Sequence, residues 1–177
     1  MIQSGIHSGE ISGKDATLMI LRDILVGDLA WILDGAILLL VPIYNVDGHE
    51  RFGPHNRANQ NGPVEHGFRG NARNLDLNRD FIKLDSRNTR SLVPVLREWD
   101  PHIFVDTHTS NGADYPYTIT LINSHSQRHE PTQARFMGTV APRGGTTPPV
   151  MRPASRSTVP RYRTPVSAMY SSISGAS

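Results

Sequence analysis

The amino-acid sequence predicts an α/β fold in which a mixed or mostly parallel sheet carries helices on both faces. Three observations lead there. Continuous apolar runs of strand length alternate with a helical stripe, polar motifs sit where those runs end, and 177 residues suffice for one domain with a hydrophobic core.

The elements follow in chain order. ISGKDATLMILRDILVGD sets Leu18, Leu21, Ile24 and Leu25 at helical spacing, with Ser12 and Asp15 as an N-terminal capping pair. AILLLVPIYN is an unbroken apolar run ending in polar turn residues, which suits a strand buried on both faces. SLVPVLREWD predicts a helix that starts or kinks at Pro94. PHIFVDTHT and YTITLI both read as strands. There is no internal repeat.

After about Met137 the character changes. The segment 138–177 is rich in Pro, Ser, Thr, Arg and Gly, contains no Asp, Glu or Lys, and shows no sustained period. Such a composition cannot bury enough apolar surface to offset the entropy of ordering it. It reads equally as a disordered basic tail or as the product of a shifted reading frame. The expected organisation is therefore a folded domain over 1–137 and a tail over 138–177.

Composition narrows the function classes. A formal net charge of +2 gives no ground for a nucleic-acid partner. Cysteine is absent, so thiolate chemistry and disulfides are excluded. The run GAILLLVPIY is too short for a membrane span. No basic and then apolar leader opens the chain.

Chemistry concentrates in three places. In SGIHSGEISGKDA, His7 and Glu10 stand three apart in a strand-to-helix loop. Ligands in open α/β sheets bind at the carboxyl ends of strands, and a catalytic zinc takes three protein donors plus water. PHIFVDTHTSNG brings His108 to a second strand end as the third donor. His49, His55 and His66 lie in a polar Gly- and Asn-rich stretch, and His102 is at the opposite end of its strand. In NARNLDLNRDF, Asp76, Asn78 and Arg79 sit among leucines, a costly arrangement to bury without a role. An arginine fork with a neighbouring amide binds a carboxylate, and a carboxylate can fix the tautomer of a metal-bound histidine. Each motif alone has a plainer explanation: a chance H-x-x-E, a hydrogen-bonded core histidine, a structural Asp–Arg pair.

Taken in order, GIHSGE, NVDG, LDLNRDF and FVDTHT resemble the zinc carboxypeptidase family, the carboxypeptidase A-like metalloenzymes, over about residues 1–122. The resemblance implies one zinc ion on His7, Glu10 and His108. It implies Asn78 and Arg79 as the clamp for a substrate's free C-terminal carboxylate, and Asp76 as the carboxylate behind His7. The family's carbonyl-polarising arginine is most similar to Arg57, with Arg69 and Arg73 as the alternatives in the same loop. The implied activity is zinc-dependent hydrolysis of the C-terminal peptide bond, in a secreted or periplasmic setting.

The sequence also departs from the family. Its members use a downstream glutamate as general base and usually a downstream tyrosine that closes over the substrate. After His108 the only glutamate is Glu130, too near for that spacing, and Tyr162 and Tyr170 lie in the tail. Gly9 stands where some members carry arginine. The expected fold is therefore carboxypeptidase-like but truncated at both ends, with activity impaired by loss of the base. Two other functions compete: a zinc deacylase of acylated amino acids, and a non-catalytic module that binds zinc and carboxylates.

Overall fold

The structure is a computed structural model that describes residues 1–60, 63–110, 119–123, 131 and 166–170, the segments 119–123 and 166–170 through their backbone. Five strands form one mixed sheet: β1 (Ile2–Gln3), β2 (Leu40–Val41), β3 (Val105–Thr109), β4 (Ile119–Asn123) and β5 (Val166–Tyr170), in the order β2-β1-β3-β5-β4. β1 runs parallel to both β2 and β3, with Ile2 opposite Leu40 and Val105. β5 lies antiparallel to β3 and parallel to β4. The helices are α1 (Ile11–Val26), α2 (Val46–Glu50) and α3 (Arg87–Trp99), with short 3-10 turns at Ala30–Asp34 and Leu77–Arg79.

β5 revises the expectation for the tail. Val166–Tyr170 lies within the segment expected to be without structure, yet pairs with β3 over five residues, His108 facing Ser167. The rest of 138–177 falls outside the described residues.

The helix α1 is held differently from its apolar pattern. Of the stripe, Ile24 is buried, whereas Leu18, Leu21 and Leu25 are exposed. Its buried positions are Gly13, Thr17 and Ile24. A β-carbon at Gly13 would overlap the side chain of Thr107, so the helix lies directly on β3. Hydroxyls close this contact: Ser4 Oγ lies 2.8 Å from Thr17 Oγ1 and donates to Gly13 O at 3.1 Å, and Thr107 Oγ1 donates to Ser4 Oγ at 2.9 Å. Buried hydroxyls that satisfy one another escape the desolvation cost that isolated ones would carry. The expected capping pair is displaced as well. The helix begins at Ile11 with Glu10 as N-cap, and the Glu10 side chain makes no cap hydrogen bond because it is committed elsewhere.

The run 36–45 yields only the two-residue β2, half-buried rather than buried on both faces. Among the described residues β2 is the edge of the sheet, with a strand on one side only. The core gathers Met1, Ile6, Tyr44, Leu77, Leu92, Leu96 and Phe104. α3 supplies Leu92 and Leu96, one turn apart with Thr89 behind them. It starts at Arg87, not Pro94: Ser86 caps it by accepting from Thr89 N at 3.0 Å, and Pro94 sits inside.

Asp80 locks the turn into α3. It is 2 % exposed and accepts the backbone N–H groups of Asp85 at 2.7 Å and Ser86 at 2.9 Å. Burial would raise its pKa, but the hydrogen bonds from Ser86, Thr89 and the two amides outweigh it and hold the carboxyl well below its usual range. Its stabilisation is therefore present above the ordinary carboxylate pKa and is lost only as pH falls through the depressed value. Asp80→Ala strands the buried amide of Ser86 and the part-buried amide of Asp85, and is expected to cost about 1–3 kcal/mol in urea unfolding. An unchanged midpoint would show that water or a neighbour replaces the carboxylate.

Candidate metal centre

Two adjacent parallel strands build the site at their carboxyl ends. β1 leads into the loop bearing His7 and Glu10, and β3 carries His108. The three side chains are 4 %, 3 % and 13 % exposed, so the donors are largely shielded from solvent. One donor atom from each lies within 4.8 Å of the others. His7 Nδ1 is 3.0 Å from Glu10 Oε1, and His108 Nδ1 is 2.9 Å from Glu10 Oε2. Zinc bonds of about 2.0–2.2 Å in tetrahedral geometry place ligand atoms roughly 3.4 Å apart, so this donor set fits zinc with a small adjustment.

Both imidazoles are gripped from behind. His7 Nε2 lies 3.2 Å from Asp76 Oδ1, and His108 Nε2 lies 2.9 Å from Asp106 Oδ2. Each ring therefore turns Nδ1 inward and Nε2 onto a carboxylate, the arrangement that fixes a metal-binding tautomer. Asp76 is itself held by Arg69, whose Nε and Nη2 approach Oδ2 at 3.0 and 2.9 Å. Asp106 accepts from Gln3 Nε2 at 3.2 Å. Asp106 escaped the sequence reading although the signal was present. Residues i and i+2 of a strand share a face, so the Asp-x-His of β3 sets the carboxylate beside the ring.

Charge in the pocket is strongly coupled. Burial would raise the Glu10 pKa, but hydrogen bonds from His108 and His7 and their charge hold it well below the carboxylate range. Burial would lower the His108 pKa, but hydrogen bonds to Asp106 and Glu10 and their charge push it up to about 9. The metal-free centre at neutral pH thus keeps a proton on His108.

Arg57 takes an unexpected seat. Its side chain is 5 % exposed, and Nη2 donates to Glu10 Oε1 at 2.8 Å. The guanidinium thus bears on a candidate metal ligand and is sealed from solvent, whereas the expected role requires it to face a substrate carbonyl. Arg69 is half-exposed beside Asp76, and Arg73 is exposed. Asn78 and Arg79 occupy the 3-10 turn that follows Asp76, Asn78 half-buried and Arg79 exposed. Asn78 N donates to Asp76 Oδ1 at 2.9 Å, so the carboxylate behind His7 also anchors this turn.

The loops are stitched by contacts that the sequence does not advertise. Asn45 of NVDG caps α2 through Gly48 N at 3.0 Å, and its amide donates to Arg69 O at 3.1 Å. Gln60 Nε2 donates to Ser110 O at 2.7 Å, tying the Arg57 loop to the end of β3. His49, His55, His66 and His102 stay outside the cluster, the only such group of donors among the described residues. Glu130 and Tyr162 lie outside the described residues, and Tyr170 falls opposite Val105 in β5.

One buried and one largely shielded imidazole and a carboxylate lie at strand ends of a mixed α/β sheet, each ring backed by an aspartate, a donor set whose chemistry suits a zinc ion. The family model for zinc carboxypeptidase matches residues 1–113, and the chain belongs to that family. It is similar to Carboxypeptidase 2 of Trichophyton rubrum, 31% identical over 110 residues. Carboxypeptidase 2 of Trichophyton tonsurans is 32% identical over the same length, and a probable Carboxypeptidase 2 of Arthroderma benhamiae 31%. Each match covers 60% of this chain and 18% of the relative. No solved structure matches the chain at a significant level. Among the described residues no helix is long and apolar enough to cross a membrane.

Proposed function

We propose that the chain carries the metal-binding and carboxylate-anchoring half of a metallocarboxypeptidase that hydrolyses the C-terminal peptide bond. The observation that carries this reading is the convergence of His7, Glu10 and His108 with Asp76 and Asp106 behind the rings. One zinc ion bound there would supply a Lewis acid and lower the pKa of a bound water. His7 and His108 hold their inward nitrogens in place, and Glu10 contributes the negative charge. Asn78 and Arg79, on the turn anchored by Asp76, bind the free terminal carboxylate and so place the last peptide bond beside the centre. Arg69, half-exposed on the same carboxylate, is better disposed than the sealed Arg57 to meet a scissile carbonyl. No residue of the chain is assigned as general base, and loss of that group commonly costs about 10²–10⁴-fold in rate.

A second reading, binding of a peptide carboxylate without turnover, draws on the single glutamate after His108. Zinc titration beside hydrolysis of free and C-terminally amidated peptides separates the two. Stoichiometric zinc with release of the terminal residue from free peptides alone supports the peptidase. Zinc without release supports the binding module. Release from acylated amino acids but not from peptides would favour a deacylase. Arg79→Ala is expected to weaken binding of free-carboxylate peptides roughly ten- to hundredfold, the loss of one charge-assisted contact, and to leave amidated peptides unaffected. Equal weakening of both would remove Arg79 from the clamp.

A further inference from the structure

The seat of Arg57 has a definite cause. A β-carbon on Gly9 would overlap Arg57 Cγ and lie 2.9 Å from its Cδ and 3.0 Å from Gly67 O. The arginine stem thus fills the space in which a side chain at position 9 would stand. The loop that delivers it packs as closely elsewhere: a β-carbon on Gly67 would lie 2.8 Å from Ser8 Cβ and 2.9 Å from Gly48 O. Backbone runs against backbone here, which only glycine permits. The guanidinium so delivered is buried with Nη2 on Glu10 Oε1, while its Nε and Nη1 are buried without a partner among the described residues. A cation with two unpartnered donors in a dry interior is costly, and Glu10 is the charge that compensates it.

We propose that Arg57 is a fixed counter-ion to Glu10, admitted by the missing side chain at Gly9, that restrains the centre's affinity for metal. This inference rests on the metal-site reading above. Two effects of removing Arg57 oppose each other, and the contacts decide between them. Orientation of Glu10 loses little, because His7 Nδ1, His108 Nδ1 and Thr109 N at 3.2 Å still hold both oxygens. Electrostatics changes more. A buried guanidinium repels a divalent cation placed on the same carboxylate and lowers the basicity of that ligand, with little water to screen either effect. Arg57 is thus a positioning residue that acts through Glu10, apart from any contact with substrate.

The test uses the full chain and zinc alone, with affinity read by competition against a chromophoric chelator. Arg57→Gln is expected to bind zinc on the order of tenfold more tightly, and Arg57→Lys, which keeps the charge, to stay near the parent. Gly9→Ala, which displaces the arginine without removing it, is expected to tighten binding in the same direction. The double variant Gly9→Ala/Arg57→Gln should match Arg57→Gln alone. A purely structural arginine predicts the opposite sign, since a loosened site binds metal less well. Unchanged or weaker zinc binding by a folded Arg57→Gln overturns the inference, and where that variant does not fold, Gly9→Ala decides by the same sign. Failure of the parent chain to bind zinc would instead overturn the metal-site reading itself.

Discussion

His108→Ala abolishes stoichiometric zinc binding, whereas His102→Ala leaves it within about twofold of the parent. The contrast follows from position. His108 stands at the end of β3 with Nδ1 on Glu10, while His102 precedes the strand and lies outside the cluster. Two donors, His7 and Glu10, do not make a tight zinc site, because zinc takes three protein ligands even where water fills the fourth position. The substitution has a second cost. Glu10 and Asp106, both nearly buried, lose their shared partner, and breaking one side of a buried ion pair costs about 3–5 kcal/mol. Zinc stoichiometry by equilibrium dialysis should therefore be read beside a circular dichroism spectrum. Retention of one tightly bound zinc by a folded His108→Ala would remove His108 from the donor set.

The parts of the site legible in the sequence are those fixed by local geometry. His7 and Glu10 share one loop, and a strand end carries His108 to the same edge of the sheet because β1 and β3 are parallel neighbours. Asp76 stood out as a polar residue among leucines, while its pairing with His7 was implied by the resemblance, because that contact spans 69 residues. Arg57 was legible as a residue type but not as a contact. Its place depends on Gly9, Gly48 and Gly67 letting two loops close on each other, and no motif encodes that approach. The α1 stripe misled for a related reason. Apolar periodicity marks a face suited to burial, while the face actually buried was selected by Gly13 and Thr17 fitting under Ser4 and Thr107. Likewise the apolar run 36–45 says that a strand can be buried, not that it is; strand order made β2 an edge.

Asp106→Asn lowers zinc affinity about 10- to 100-fold at pH 9, and the deficit shrinks or reverses towards pH 6. Two roles of the same carboxylate produce that pH dependence. Asp106 makes His108 a better metal ligand by drawing on its Nε2 proton at 2.9 Å. Against burial, which lowers it, Asp106 together with Glu10 also raises the His108 pKa to about 9. A proton competes with zinc for this ring throughout the neutral range. In the parent chain, loading therefore strengthens with rising pH until about 9, where the competing proton is gone. The isosteric amide keeps the shape but loses the charge, so the His108 pKa falls towards its ordinary value. Below that value both chains carry the proton; between the two values only the parent does, and the variant recovers part of its loss. The raised pKa of His108 stabilises the metal-free chain fully below about 6.5, and this contribution fades as pH rises through about 9. Chelator competition at pH 6, 7.5 and 9, with the His108 ring titrated by NMR in the metal-free chains, measures both roles at once. A deficit that is the same at all three pH values would mean that Asp106 does not control the proton on His108, and its place would reduce to packing against Gln3.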